Sequence, residues 1–290
     1  MASSSGRAPA SWVKSDRQRD RERDRQRRAA RSVAIASAST LALVALVGWV
    51  LTSSPGWPRV QASFFSWEHA KASLPDIAAA FVLNVQLFLV AEPLILVVGL
   101  LVALTRTLRS PVTFPLRALA VIYTDIFRGV PTLLVIFLIG YGLPALNLQG
   151  VPTSLFQLGL IALVLSYGAY VAEVFRAGIK SVHPSQTASA RSLGLSQAQA
   201  LRYVVLPQAV RRVVPPLLND FISLQKDTAL VAALGLVEAL NQATIYASEN
   251  FNYTPYLVAA AFFVALTVPL ARFNDVLAAR AQRRMLGGAR

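Results

Sequence analysis

The sequence contains no cysteine and, among its 290 residues, only two histidines, His69 and His183. The missing cysteines exclude disulfide frameworks, cysteine-ligated zinc, iron–sulfur clusters and thiol nucleophiles. Two histidines are too few for an ordinary histidine-based metal centre. We therefore predict that the chain has no metal site.

Charged side chains are also scarce, at 14% of the chain against about 25% in a typical soluble domain. Hydrophobic residues make up 55%. This composition is too apolar for an ordinary soluble domain of this length. It predicts an integral membrane protein.

Sequence motifs for nucleotide binding and hydrolysis are missing as well. No glycine is followed by lysine, which excludes the GxxxxGK(S/T) phosphate-binding loop, and neither HExxH nor GxSxG occurs. We therefore predict that the chain binds no ATP, holds no cofactor and is not an enzyme. One alternative stays open: Ser223 and Lys226 have the spacing of a Ser/Lys dyad in a membrane hydrolase, although four-letter patterns of this kind often arise by chance.

Part of the net charge of +14 comes from residues 1–31, which hold ten Lys and Arg and four Asp and Glu. This segment has almost no apolar residues, so it is predicted to be a cytoplasmic tail that is disordered or a frayed helix. Its positive charge suits the positioning of the membrane helix that follows. The alternative is an arm that binds lipid or RNA.

Apolar runs follow the tail, and a helix needs about 20 residues to cross a bilayer core about 30 Å thick. The runs are 33–51, 77–104, 116–143, 155–174, 213–240 and 256–270. They predict an all-α fold with about six transmembrane helices. Residues 32–52 are interpreted as a retained anchor rather than a signal peptide, because the apolar core of a signal peptide has only about 7–15 residues.

Lys and Arg are distributed unevenly between the loops on the two sides of such a bundle. The loops at about 53–76, 144–154 and 241–255 contain only Arg59 and Lys71, whereas the opposite side carries most of the basic residues. Since basic loops stay in the cytoplasm, both termini are predicted to be cytoplasmic. This places an external loop at 53–76, a core at 77–275 and a basic cytoplasmic tail at 276–290.

The largest inner loop, residues 177–212, has the pattern of two short helices joined by a glycine turn. Pro184 suits the first turn of a helix, which residues 186–193 continue. Gly194 is expected to end it with a positive φ. Ser196 with Gln199 forms a capping box for a second helix, which is expected to end near Pro207. A surface hairpin with no partner would have the same pattern.

Several segments of the chain resemble the permeases of ABC importers for polar amino acids. The inner loop matches their EAA pattern, E-A-A-x3-G-x9-I-x-L-P, at Ala188, Ser189, Ala190, Gly194, Val204, Leu206 and Pro207. Further matches are FRGVP at 127–131, YVAEVFRAGI at 170–179, VLPQA at 205–209 and KDT at 226–228. The resemblance covers roughly 77–275. Ala188 replaces the signature Glu of the pattern, and the helix at 32–52 is an addition to the five spans typical of such permeases.

The resemblance implies a type I importer fold in a bacterial cell membrane. The chain would form the translocation pathway as half of a permease dimer, homomeric or heteromeric. Two separate ATPase subunits would bind ATP, and an extracytoplasmic solute-binding protein would deliver glutamate, glutamine or a basic amino acid. Membrane lipid but no nucleic acid would be a partner. A stand-alone gradient-driven transporter is the second transport hypothesis.

The resemblance also identifies the inner loop as the coupling element that enters a groove on the ATPase. Residues 186–193 would be the inserted helix, and Gly194 the turn that holds it. Because Ala188 lacks a carboxylate, docking is expected to depend on shape and on Arg191. The predicted coupling residues are Gln186, Ala188, Arg191, Gly194, Val204, Leu206 and Pro207.

Polar residues inside apolar runs are candidates for the substrate pathway, because charge is costly in a bilayer. Glu92, followed by Pro93, would accept a substrate ammonium, and Arg128 would pair with a carboxylate. Asn84 lies about two turns before Glu92. The alternative is that Arg128 extends to the membrane surface and Glu92 bonds to a neighbouring helix.

Lys226 and Asp227 are the remaining pathway candidates. As adjacent residues on a helix they point about 100° apart, so they do not face each other. Each is expected to find its own partner, such as Glu173, Asp220 or a backbone carbonyl. We favour a structural network near an inner gate over direct contact with substrate.

Overall fold

The computed structural model describes residues 16–108 and 110–287, and the side chains of 28–108 and 110–277. These residues form helices joined by short turns, with no strand in the described ranges. The chain divides into two compact units, residues 1–61 and 62–290. The α-helices are α1 Asp16–Thr52, α2 Trp57–Phe64, α3 Trp67–Thr105, α4 Phe114–Gly129, α5 Thr132–Ala145, α6 Leu155–Ser181, α7 Pro184–Ser192, α8 Gln197–Ala200, α9 Leu206–Asp227, α10 Ala239–Asn250 and α11 Thr254–Gly287.

Helix α1 contains the first predicted span and begins well before it, at Asp16. Residues 16–31 are therefore helical, which agrees with the predicted helical alternative and not with disorder; residues 1–15 lie outside the described residues. The sequence offers a reason, since several acidic residues precede an Arg by three or four positions, as Asp24 precedes Arg27 and Arg28. Such pairs stabilise a helix that the apolar run already propagates.

The predicted external loop at 53–76 is also mostly helical. It contains α2 and the first turns of α3. Ser66 caps α3, because its side chain accepts a hydrogen bond from the backbone N–H of His69 (3.4 Å). The structure therefore places helical turns within this segment, and its position outside the membrane stays a prediction. Because of this local cap, α3 begins about ten residues before the start of the apolar run at 77.

The third predicted span is two helices, α4 and α5, which meet at an angle of 110°. The break lies at Val130 and Pro131, both with extended backbone (ψ 131° and 134°). Proline disfavours the helical conformation of the residue before it and has no N–H to continue the hydrogen-bond ladder. The prediction of one helix over 116–143 is therefore wrong.

The fifth predicted span is also interrupted. A 3₁₀ segment, Thr228–Leu234, follows α9 and ends at Gly235 in the left-handed region (φ 92°), and α10 then leaves at an angle of 49°. Glu238 caps α10 through its Oε1, which accepts from the backbone N–H of Asn241 (2.9 Å).

By length and composition, the described residues contain four helices able to cross a membrane, or six spans if each bent pair counts as one. The predicted runs 77–104, 155–174 and 256–270 lie inside α3, α6 and α11. The all-α fold with about six transmembrane helices is confirmed.

Helix α6 lies at the centre of the second unit and packs against α3, α4, α5 and α9. Its buried face joins residues of α3, α5, α9 and the 3₁₀ segment in the largest apolar cluster. Gly99 of α3 permits a close approach to α6. A Cβ at this position would lie 2.5 Å from Val171 Cγ1 and 3.1 Å from the backbone nitrogen of Ala172.

We expect Gly99→Ala to destabilise the core by about 1–3 kcal/mol, because the added methyl group would overpack the contact with α6. The control is Gly142→Ala in α5, where a Cβ would meet no atom within 4 Å. Thermal unfolding of the two purified variants in the same detergent checks this. Equal unfolding temperatures would contradict the assignment of Gly99 to a tight contact.

Candidate coupling loop and translocation pathway

Helix α7 is fixed at both ends. At its start, Pro184 occupies the first turn and His183 Nδ1 accepts from the backbone N–H of Ser185 (3.2 Å). At its end, Gly194 has φ +87°. The N–H groups of Gly194 and Leu195 donate to the carbonyls of Arg191 (3.0 Å) and Ala190 (3.2 Å), which is a Schellman motif. The predicted helix and its glycine turn are confirmed.

The second helix of the loop begins as predicted but continues further. Ser196 and Gln199 form the capping box of α8. A π-helical segment, Leu201–Val205, then leads directly into α9. Pro207 therefore lies in the first turn of α9 rather than at a helix end, so that prediction is wrong. Leu206 N–H bonds five residues back to the Leu201 carbonyl, and this wider turn admits the proline ring.

The predicted coupling residues divide between the surface and the base of the loop. Four of them are exposed on α7 and its turn: Gln186, Ala188, Arg191 and Gly194. Three lie at the base of the loop and are partly or fully exposed: Val204, Leu206 and Pro207. The loop is seated instead by Val182, Val205 and Ala209, which are buried together. Arg212 of α9 adds hydrogen bonds to the Ser181 carbonyl and hydroxyl at the end of α6.

Leu193 at the end of α7 was not singled out from the sequence, yet 84% of it is exposed. A large apolar side chain at the tip of a polar loop is a candidate docking contact. The available signal was its position directly before Gly194, where the Schellman turn directs it outward.

A charge network lies where the loop joins the bundle. Glu173 of α6 pairs with Arg106, which follows α3 (3.1 Å), and with Arg176 one turn later in α6. Arg106 also donates to Thr124 of α4 (3.0 Å). The network therefore ties α3, α4 and α6 together. The expectation that Glu173 pairs with Lys226 or Asp227 is therefore wrong. The sequence did signal the pair with Arg176, since residues three apart on a helix lie on the same face.

Asn84 is 2% exposed and all its polar groups bond within the chain. Its Nδ2 donates to Glu238 Oε2 (2.7 Å) and to Thr228 Oγ1 (3.2 Å), and its Oδ1 accepts from the Ala239 N–H (3.1 Å). It thus joins α3 to the start of α10. Glu238 was missed by sequence reasoning, although an acid directly before a helical run is a capping signal.

We expect Asn84→Ala to lower stability by about 1–3 kcal/mol, because Glu238, Thr228 and the Ala239 N–H would all lose a buried partner. Asn250→Ala is the control, since exposed Asn250 only bonds back to the Tyr246 carbonyl of its own helix. The thermal unfolding of both variants and their uptake kinetics are measured. A variant of unchanged stability with a raised KM would instead place Asn84 in the substrate pathway.

Asp227 and Lys226 have different surroundings. Asp227 Oδ2 accepts a hydrogen bond from the hydroxyl of Tyr167 in α6 (2.7 Å). Lys226 is exposed and forms neither an ion pair nor a hydrogen bond with any described residue. The expectation that each charge finds a partner within the chain is therefore met by Asp227, through a residue that was not foreseen, and is wrong for Lys226.

Glu92 of α3 and Asp220 of α9 carry carboxylates on two helices that pack against each other. Glu92 is partly buried and lies within electrostatic range of Asp220. Asp220 Oδ2 is buried without a hydrogen-bond partner among the described residues. Partly buried carboxylates on neighbouring helices are candidate acceptors for a cationic group.

Arg128 lies apart from that pair. It is exposed at the end of α4, and its backbone carbonyl accepts from the hydroxyl of Tyr170 (3.2 Å). Its charge acts on Glu173, and in the described ranges no hydrogen bond or ion pair links it to Glu92. Nor does a described hydrogen bond join Ser223 to Lys226, so the structure shows no formed Ser/Lys dyad.

A bundle of long apolar helices with an exposed, capped helical loop is the architecture of an integral membrane protein. Residues 95–283 match the family described as binding-protein-dependent transport system inner membrane component. The chain belongs to this family.

The chain is similar to several curated members. It is 36% identical over 211 residues to the probable amino-acid permease protein YxeN of Bacillus subtilis, covering 72% of this chain and 93% of the relative. It is also 36% identical over 177 residues to the probable glutamine ABC transporter permease GlnM of the same organism, covering 60% and 78%.

Solved structures give the same fold. A crystal structure of an amino acid ABC transporter with histidines matches with a TM-score of 0.64 and 33% identity, covering 71% of this chain and 94% of the other. The MetNI methionine ABC transporter matches with a TM-score of 0.56 at 19% identity, covering 71% and 95%, which supports the fold alone. The type I ABC-importer permease fold is thereby confirmed.

Proposed function

We propose that this chain is the transmembrane permease subunit of an ATP-driven importer for polar amino acids. The observation that carries the proposal is helix α7, capped at both ends and exposed, in a chain of the binding-protein-dependent family. A permease without a nucleotide site must receive force through contact. A short rigid helix transmits such force better than a flexible loop does.

The chain works as half of a permease dimer, homomeric or heteromeric. Separate ATPase subunits bind ATP and take α7 into a surface groove, with Leu193 and Arg191 as contacts. An extracytoplasmic solute-binding protein delivers the substrate on the opposite face. Both termini lie in the cytoplasm, on the side of α7, as the distribution of Lys and Arg indicates.

The substrate is a polar amino acid such as glutamate, glutamine or a basic one. The names of the relatives, an amino-acid permease and a glutamine ABC transporter permease, support this class. Every amino acid carries an α-ammonium group, and the Glu92 and Asp220 carboxylates supply acceptors for it between α3 and α9. Arg128 remains our candidate for the substrate carboxylate.

The test is transport by the purified complex in proteoliposomes, with the permease, its ATPase subunits and its binding protein. Uptake of labelled amino acids is measured with ATP, with a non-hydrolysable analogue and without nucleotide. We expect uptake only with ATP. Uptake by the permease alone under an ion gradient would favour the stand-alone transporter, and amino-acid uptake by neither would contradict the proposal.

We expect Glu92→Gln to raise the KM for uptake about tenfold or more, because a hydrogen bond to a charged group contributes about 1.5–3 kcal/mol. Glu249→Gln, at an exposed position of α10, is the matched control. Arg128→Lys is measured in parallel, since it keeps the charge and loses the bidentate geometry. Unchanged KM and maximal rate in both variants would remove Glu92 and Arg128 from the pathway.

A further inference from the structure

A large cavity lies beside the coupling loop, between the end of α3, the start of α4, the end of α6 and helix α7. Its volume is about 1030 Å³. Five cationic side chains line it: Arg106, Arg117, Arg176, Lys180 and Arg191. No acidic residue is among the described residues that line it. The cavity is therefore far more positive than the rest of this sparsely charged bundle.

The charge of the cavity is only partly neutralised by the chain itself. Glu173 pairs with Arg106 and Arg176, which together carry one charge more than it offsets. Arg106 Nε is also buried without a hydrogen-bond partner in the described ranges. Arg117 and Arg191 make hydrogen bonds only to backbone carbonyls, at 3.1 and 3.4 Å, and Lys180 makes none among the described residues. Donors and positive charge are thus available to an anion.

One wall of the cavity is apolar. Phe114, Val121 and Ile122 of α4 contribute to its lining, and Phe114 and Ile122 are more than half exposed. Both belong to the helix pair that has the length and composition of a bent membrane span. A small hydrophilic anion would leave this wall unused. A ligand with a phosphate headgroup and an acyl chain would contact both parts.

We propose that this cavity binds an anionic phospholipid, with its headgroup phosphate among Arg106, Arg117 and Lys180 and its acyl chain along Phe114 and Ile122. Basic pockets between transmembrane helices bind acidic headgroups by this combination of charge and hydrogen bonds. Residues of α7 also line the cavity: Pro184, Thr187, Ala188 and Arg191. The bound lipid therefore contacts α7, the helix that couples to the ATPase in the proposed function. The site is thus a lipid contact that stabilises the position of α7.

The double variant Arg117→Gln with Lys180→Gln tests the site without touching the Glu173 network. Binding of phosphatidylglycerol to the full-length permease is counted by native mass spectrometry over a lipid titration, with phosphatidylcholine as the neutral lipid. Each cation near an anionic lipid contributes about fivefold in affinity. Removing two cations should therefore lower the affinity for phosphatidylglycerol roughly 30-fold and leave the affinity for phosphatidylcholine nearly unchanged. Lys180→Gln alone should lower the affinity for phosphatidylglycerol about fivefold. This single variant keeps the test valid if Arg117→Gln disturbs folding.

The matched control is Arg202→Gln with Arg211→Gln, which removes two exposed cations that do not line the cavity. An equal loss of affinity for phosphatidylglycerol in the control would show that the effect comes from general surface charge, and it would overturn the proposed site. Inorganic phosphate is also tested as a competitor of bound phosphatidylglycerol. If it displaces the lipid as effectively as added phosphatidylglycerol does, the apolar wall plays no part and the lipid assignment is overturned. Complete displacement of lipid on adding the ATPase subunits would assign the cavity to the ATPase interface and also overturn it.

Discussion

Replacing Gly194 by valine is expected to abolish most ATP-driven uptake while leaving the permease inserted in the membrane. Gly194 adopts φ +87°, a conformation that a β-branched residue enters only under strain. The Schellman hydrogen bonds that end α7 depend on this conformation. The transmembrane helices are untouched by the change.

The strain has a definite consequence for docking. A residue held in the left-handed region against its preference costs about 1–3 kcal/mol. If the loop relieves that strain by leaving the observed conformation, the population able to dock falls by about 5- to 150-fold. The apparent affinity for the ATPase falls by the same factor.

A graded series distinguishes this explanation from a general effect of bulk. Asn enters the left-handed region far more readily than Val does, so Gly194→Asn should retain much of the activity. Uptake, binding of the ATPase subunits and membrane insertion are measured for both variants. Normal uptake by Gly194→Val would contradict the coupling role assigned to the turn. An equal loss of uptake in Gly194→Asn would contradict the explanation by backbone strain.

Replacing Glu173 by glutamine is expected to lower the stability of the permease by about 1–3 kcal/mol, because two charge-assisted contacts lose their acceptor charge. Arg106 and Arg176 would then face each other without a carboxylate between them. Their side chains are only 14% and 22% exposed, so water screens that repulsion incompletely. The junction of α3, α4 and α6 should loosen.

The chain contains its own control for this change. Arg272 and Asp275 form an ion pair at 3.5 Å with side chains 81% and 68% exposed. Asp275→Asn should cost less than about 1 kcal/mol, as exposed pairs generally do. The two variants are compared by thermal unfolding in the same detergent. Equal losses would show that the Glu173 network does not hold the helices together.

The coupling loop was predictable because its signals are local. Pro184, Gly194 and the Ser196–Gln199 capping box each act within a few residues, and the structure forms all three as predicted. The error at Pro207 has a local cause as well. The π-helical turn before it removes the usual conflict between proline and a continuous helix, and nothing in the sequence marks that turn.

The bend at Val130 and Pro131 was signalled in the sequence but outweighed by the length of the apolar run. An apolar run shows that a segment avoids water, whereas it carries no information on whether the helix axis is straight. Pro131 signalled a break in 116–143. Proline alone did not decide it, because Pro75 and Pro93 lie inside α3 without ending that helix. The FRGVP segment was used for its resemblance and not for its geometry.

The sequence by itself determined the membrane class, the apolar segments, the capped helix and glycine turn of the 177–212 loop, and the absence of a phosphate-binding loop. Each of these follows from composition or from residues close in the chain. Only the tertiary structure decided which polar groups meet. Tyr167 and Asp227 are 60 residues apart, and Asn84 and Glu238 are 154 apart. Such partners depend on how helices rotate and pack against one another, and many arrangements of the same amphipathic faces satisfy one sequence pattern. The same reason hid the cationic cavity, whose five cationic side chains come from three helices and one connecting segment.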